Sequence, residues 1–121
     1  MKDLNTTVLI VGGGPVGLTL SLVFARFGVN CMVVERNAST TQHPKMDLTN
    51  GRSMEIFRML GVADKVYELG VSGDICHDVS WVTSLTDHQI CRFEYPGPDE
   101  ARAQYKKLND GTQPMDPAVR I

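Results

Sequence analysis

The sequence predicts an incomplete α/β fold: an N-terminal βαβ unit, then helices, then the start of a β-hairpin layer. Three observations carry this. A short β-branched run at residues 7–11 ends in three glycines, an amphipathic stretch begins at Pro15, and a second apolar run over residues 31–34 closes on Glu35. Strand, glycine turn, helix and strand in that order require parallel strands joined by a right-handed crossover.

Each element has a local reason. The first strand is continuous in Val, Leu and Ile, as expected of a strand buried on both faces. After Pro15, apolar residues recur at Val16, Leu20, Val23, Phe24 and Phe27, the spacing of one helix face, and Gly28 is a natural stop. Residues 37–49 read as a polar loop containing Pro44. Asn50 is placed to cap a helix over residues 51–60, with Met54, Phe57 and Leu60 on one face and Gly61 ending it. A shorter helix spans 63–69 and stops at Gly70. Residues 78–83 and 89–95 form an antiparallel hairpin around Leu85-Thr86-Asp87-His88. Pro96-Gly97-Pro98 breaks it, Asp99 caps a polar helix running to Leu108, and 109–117 is rich in turn residues. The divisions expected are 1–72 for the βαβ unit and following helices, 73–98 for a hairpin entering a second layer, and 99–121 for a helix and return linker.

Composition bounds the function. The 121 residues are 42% apolar, 21% charged and 7% aromatic, which suits one globular domain and excludes disordered, collagenous and disulfide-rich classes. Twelve basic against fourteen acidic side chains give a net charge of −2, no electrostatic footprint for nucleic acid or an anionic membrane. Cys31, Cys76 and Cys91 form no CxxC pair, which points to a reducing compartment, and we read the chain as cytoplasmic. The uncharged stretch from Leu4 to Ala25 is no membrane helix or signal peptide, because Gly12-Gly13-Gly14-Pro15 interrupts it and no cleavage pattern follows.

The chemistry lies in Gly12-Gly13-Gly14-Pro15-Val16-Gly17, a G-x-G-x-x-G turn that follows a strand and opens a helix. Gly12 permits the tight turn, Gly14 lets the backbone approach a pyrophosphate, and Gly17 lets the helix pack against the strand. The helix N-terminus offers unpaired N–H groups and a positive dipole end to phosphate, and Pro15 has no N–H to lose there. Residues 18–34 separate Gly17 from Glu35, close to the spacing of about 20 expected for a ribose-binding acid. This is a Rossmann-like dinucleotide site, and Glu35 argues against a 2′-phosphate in that position. The bare motif does not separate FAD from NAD.

A resemblance does. The glycine turn, Glu35-Arg36, His43-Pro44-Lys45 and Asn50-Gly51-Arg52-Ser53-Met54-Glu55-Ile56-Phe57-Arg58-Met59-Leu60-Gly61 resemble the N-terminal part of the FAD-dependent aromatic hydroxylases. These are single-component flavoprotein monooxygenases, and the Arg52–Gly61 segment is specific to the phenol and polyketide hydroxylase branch. Trp81-Val82-Thr83-Ser84-Leu85 and Gly111-Thr112-Gln113-Pro114 look like the segments where that branch enters and leaves its substrate domain, so the resemblance covers nearly the whole chain.

The resemblance implies FAD as cofactor, with NAD(P)H as electron donor, O₂ as co-substrate and a small aromatic ring as substrate of the full-length relatives. It implies that Gly12, Gly13, Gly14, Pro15, Val16 and Gly17 bind the pyrophosphate and Glu35 the adenosine ribose. Arg36 would lie toward the adenine, and Arg52 would face the phosphates or the flavin; the alternative for Arg52, from its own helix, is a solvent-exposed pair with Glu55 three residues on. Lys45 stands where relatives carry arginine, keeping a cation but losing the bidentate fork, and is held as a weaker phosphate or nicotinamide contact. The family's later Asp-Gly and Gly-Asp motifs are not matched in context: Asp110-Gly111 and Gly73-Asp74 read as turns. The chain therefore looks like the first quarter or third of such an enzyme, inactive alone, and no side chain is assigned an acid–base role.

Other constellations are weaker. Cys76-His77 and His88-x-x-Cys91 are too far apart along the hairpin, with Cys91 expected opposite Val82, to share a zinc ion. His43 reads as a polar loop residue, Cys31 as a buried strand residue, Trp81 as core, and the methionines as packing. Two rival functions stand beside the first: an NAD-dependent reductase or dehydrogenase, for which Tyr105-Lys106 lacks the usual catalytic spacing, and a non-enzymatic Rossmann remnant with exposed apolar surface.

Overall fold

The computed structural model describes residues 4–40, 46–108 and 110–121. The chain forms two compact units, Met1–Pro44 and Lys45–Ile121.

In the first unit, β1 (Val8–Val11) and β2 (Cys31–Val34) pair in parallel, Val8 opposite Cys31 and Val11 opposite Val34. They are joined by α1 (Pro15–Arg26). The Gly12 N–H extends the ladder by donating to the Val34 carbonyl at 2.8 Å. Among the described residues of this unit, Ile10 is the buried hydrophobic one. The helix face differs from expectation. Val23 and Phe24 of the expected face are half-buried, while Val16 and Phe27 are exposed and Leu20 is 40% exposed, and Gly17 and Ser21 join the covered stripe. A two-stranded sheet is narrower than the apolar face laid over it, so only the middle of that face finds a partner.

The second unit contains β3 (Leu48–Thr49), α2 (Gly51–Met59), α3 (Ala63–Leu69), β4 (Val79–Val82), β5 (Gln89–Phe93), α4 (Pro98–Leu108) and β6 (Val119–Arg120). Its core is Met54, Ala63 and Val119, with Phe57, Val66 and Tyr67 packed around them. Burying Met54 completely contributes about 2 kcal/mol. Asn50 caps α2 as expected, its Oδ1 accepting the Ser53 N–H at 2.9 Å. An Arg58 fork holds Asp116, Nη2 to Oδ1 at 2.9 Å and Nε to Oδ2 at 3.3 Å, and the third Arg58 nitrogen, Nη1, pairs with Asp64. Tyr67 donates to the Pro117 carbonyl at 2.6 Å, which fixes the run into β6 against the helices.

Four expectations require correction. Residues 48–49 are not loop but strand, antiparallel to β6 with Thr49 opposite Val119. That pairing is non-local and leaves no local pattern. Asp99 does not cap α4, which starts at Pro98; Asp99 lies in the first turn and its N–H donates to the Gly73 carbonyl at 3.0 Å. Pro98 is favoured at the first helical position, which moves the start ahead of the acid. Cys91 lies opposite Trp81 rather than Val82, and the ladder shifts register between Trp81 and Val82. Trp81 is not core: it is 48% exposed and meets Phe93 edge-on at 5.1 Å. Every residue of both hairpin strands is exposed, since two strands without a covering layer have no interior.

Candidate functional site

The glycine turn of the first unit follows from three demands. Gly12 has φ +114°, a conformation L side chains rarely adopt. A Cβ on Gly17 would lie 2.1 Å from the Gly12 carbonyl oxygen, so helix and turn can approach this closely only at glycine. Gly14 differs from both: it is the extended N-cap of α1, and a Cβ there would meet nothing within 4 Å. Protein packing therefore gives no reason for glycine at 14, whereas a ligand approaching the backbone does. Pro15 and Val16 begin the helix, whose first turn holds no acidic residue to repel an anion.

Glu35 closes the turn. Its Oε2 accepts the Gly13 N–H at 2.7 Å and its Oε1 accepts the Asn37 N–H at 2.8 Å. These bonds, Asn37 first, hold its carboxyl below the usual range, with Arg36 adding a smaller electrostatic contribution. Each oxygen keeps acceptor capacity for a hydroxyl. Helix N-terminus, open Gly14 and anionic Glu35 thus fit a dinucleotide: donors for the pyrophosphate and acceptors for a ribose.

Arg52 belongs to the second unit, 80% exposed and paired with Glu55 at 2.9 Å. Glu55 also accepts the Met115 N–H at 3.0 Å, and both bonds lower its pKa, the Arg52 bond foremost. Lys45 and His43 lie outside the described residues. Asp110 accepts from the Thr112 N–H and hydroxyl, and Gly73-Asp74 sits in a turn, in keeping with the sequence reading of both dipeptides. Cys31 is half-buried rather than buried. Among the described residues no three His, Cys, Asp or Glu side chains are grouped to hold a metal ion, and no helix is long and apolar enough to cross a membrane. Sequence reasoning did not foresee that Asp116 is buried, nor that His77, weighed only as a zinc ligand, is; neither stands in a pattern that announces burial.

Comparison with known proteins separates FAD from NAD. The family model described as an FAD binding domain matches residues 5–119. The chain belongs to this FAD-binding family. Its relatives are FAD-dependent monooxygenases of the phenol and polyketide hydroxylase type, so flavin and not NAD is the dinucleotide of this fold, against the NAD-dependent reductase considered from sequence. FAD-dependent monooxygenase apdD of Emericella nidulans is 44% identical over 95% of this chain and 19% of its own length. Phenol 2-monooxygenase of a Pseudomonas species is 32% identical over 93% of this chain and 18% of its own. Among solved structures, K252c-soaked RebC superposes with a TM-score of 0.84 at 34% identity, covering 99% of this chain and 22% of RebC. The monooxygenase PieE, solved with FAD and substrate, superposes at 0.78 with 31% identity, covering all of this chain and 20% of PieE. This FAD-binding chain thus spans about a fifth of the length of the relatives it matches.

Proposed function

We propose that the chain is the FAD-binding portion of an NAD(P)H- and O₂-dependent monooxygenase that hydroxylates a phenolic or polyketide aromatic ring. The observation that carries this reading is the glycine turn itself: Gly17 is demanded by packing, Gly14 is not, and Glu35 is anchored on the Gly13 N–H beside it. Bound FAD supplies the redox chemistry with O₂, and the protein supplies binding and orientation. The turn Gly12-Gly13-Gly14-Pro15-Val16-Gly17 receives the pyrophosphate, through the N–H groups of Gly14, Val16 and Gly17 rather than those of Gly12 and Gly13, which Val34 and Glu35 already hold, and Glu35 accepts from the adenosine ribose. Arg36 lies toward the adenine. In the second unit, Arg52 exchanges Glu55 for an anionic cofactor group, and Lys45 adds positive charge. The expected divisions at 72 and 98 belong to this same reading, with residues 73–98 as the beginning of the substrate domain.

A flavin-fluorescence titration of the purified 121-residue chain tests the proposal, with NAD⁺ as competitor. Saturable quenching that NAD⁺ does not displace is expected, with no NAD(P)H consumption when a phenol is added. Glu35→Ala should weaken FAD binding about tenfold, the value of a hydrogen bond to a charged group. A folded chain that ignores FAD, or binds it equally well without Glu35, would defeat the assignment.

A further inference from the structure

His77 takes no part in the site above. Across residues 74–96 it is the one buried residue, 5% exposed, while every residue of β4 and β5 lies open to solvent. Those two strands pack chiefly against each other. The hairpin is therefore seated on its unit through its root, and His77 is the side chain that goes in. The His77 N–H donates to the Tyr95 carbonyl at 2.9 Å, and Asp78 Oδ1 accepts the Tyr95 N–H at 2.9 Å, so both strand ends are clamped here. The same root borders a cavity of about 290 Å³ together with Leu48 of β3, Tyr105 of α4 and Arg120 of β6.

The Nε2 of the His77 ring is sealed from solvent and has no hydrogen-bond partner among the described residues. A neutral imidazole tolerates this at the cost of one unmade hydrogen bond. An imidazolium does not, because both of its nitrogens carry N–H, and the one at Nε2 would be a charged donor with neither acceptor nor water. The charges around the ring add to the penalty. Arg120 is a second cation, and its ion-pair partner Asp47, 3.2 Å away, is 70% exposed, so water screens the negative charge. Asp78, next in the chain, is committed to Arg92 and to the Tyr95 N–H. The other titratable groups at the cavity are the phenols Tyr95 and Tyr105.

We propose that His77 is an acid-released latch: the neutral ring seats the root of the β4–β5 hairpin against β3, α4 and β6, and taking a proton at Nε2 frees the hairpin while α2 and α3 stay folded. The cluster that holds α2 and α3 is Met54, Ala63 and Val119, with no hairpin residue in it. Burial, and after it the charge of Arg120, disfavours protonation of the seated ring, while Asp47 acts in the opposite direction. The released ring takes the proton as an ordinary histidine does. Each pH unit below about 6.5 therefore favours the released form by up to about tenfold.

The 121-residue chain is titrated by NMR from about pH 8 to about pH 4, following the His77 ring protons and the amides of residues 51–69, 77–82 and 89–95. The expected result is one midpoint below about 6.5 shared by the ring and the hairpin amides, with the amides of α2 and α3 unchanged across it. His77→Phe keeps a ring that takes no proton, and its hairpin should stay seated through that window. Asp47→Asn removes the exposed anion that favours proton uptake, and should lower the ring and hairpin midpoints together by about 0.5 pH unit. If His77→Phe does not fold, Asp47→Asn decides. A ring that titrates while the hairpin amides stand still would overturn the inference. So would hairpin release in His77→Phe at the parent pH, loss of α2 and α3 at the same midpoint, or Asp47→Asn midpoints that stay put or separate. FAD is absent throughout, so the flavin assignment stands or falls separately.

Discussion

Gly14 and Gly17 stand on the same turn and should respond oppositely to the same substitution. Gly17→Ala places a Cβ against the Gly12 carbonyl oxygen, where backbone must move. It should destabilise the first unit by about 3 kcal/mol in urea unfolding. Gly14→Ala meets open space and should cost about 1 kcal/mol or less as an N-cap change. It should nevertheless lower FAD affinity at least as much as Glu35→Ala, because the new methyl occupies the approach of the pyrophosphate. A Gly14→Ala chain that keeps full affinity would remove the turn from the site. His77 makes a separate prediction at this scale. Its protonation is depressed below the ordinary 6.5 by burial, so the unfolded chain binds more protons between the depressed value and 6.5. Stability therefore rises with pH through that window and falls on acidification below about 6.5. His77→Phe should flatten melting temperature against pH there, while leaving the carboxylate-driven loss at lower pH in place.

The elements of the second unit are tied together by a charged fork as much as by its small core. Arg58 on α2 reaches the buried Asp116 before β6 and Asp64 on α3, and its protonated form is favoured by both carboxylates, Asp116 foremost. Burial pushes Tyr67 up to about 12, so it remains the hydrogen-bond donor to Pro117 at any ordinary pH. Arg58→Ala leaves Asp116 buried without its partner. It should cost about 2 kcal/mol in denaturant unfolding, a figure reduced for the partial exposure of Arg58. Arg58→Lys should recover only part, since an ammonium cannot make the fork. The elements legible in sequence were those written locally. β1, α1 and β2 declare themselves by composition and by the glycine turn, and α2 by Asn50 and Gly61. β3 was invisible because two residues acquire strand geometry only from partners at 119–120. The exposure of Trp81 was invisible because its periodicity reads the same whether or not another layer lies upon it.

At the scale of the whole molecule, the site was legible as a motif but not as a set of contacts. Glycine spacing and Glu35 located the turn, and the structure adds what spacing cannot: which glycine packing requires, and which N–H groups anchor the acid. Arg52 was read from the family pattern toward phosphate, and its partner in the structure is Glu55, the pairing its own helix favours. The two-unit organisation gives a further expected outcome. FAD at about a hundredfold its dissociation constant should stabilise the folded chain by about 2.7 kcal/mol. Hydrogen exchange should slow most at residues 12–17 and 35–37, with α2 and α3 changing far less. Uniform slowing across both units would contradict a binding site centred on the glycine turn.

The pairing of β3 with β6 also imposes an order of events on synthesis. α2 and α3 leave the ribosome early, with every residue needed for their own hydrogen bonds. Val119, which completes the cluster around Met54, comes much later, and with it the strand that holds residues 48–49 in place. Until residue 120 has cleared the exit tunnel, a nascent chain carries a formed helical pair with its methionine uncovered. Such a chain is a natural client for a chaperone that reads apolar helix faces, and a ribosome stalled before that point should display the most protease-sensitive form of this sequence.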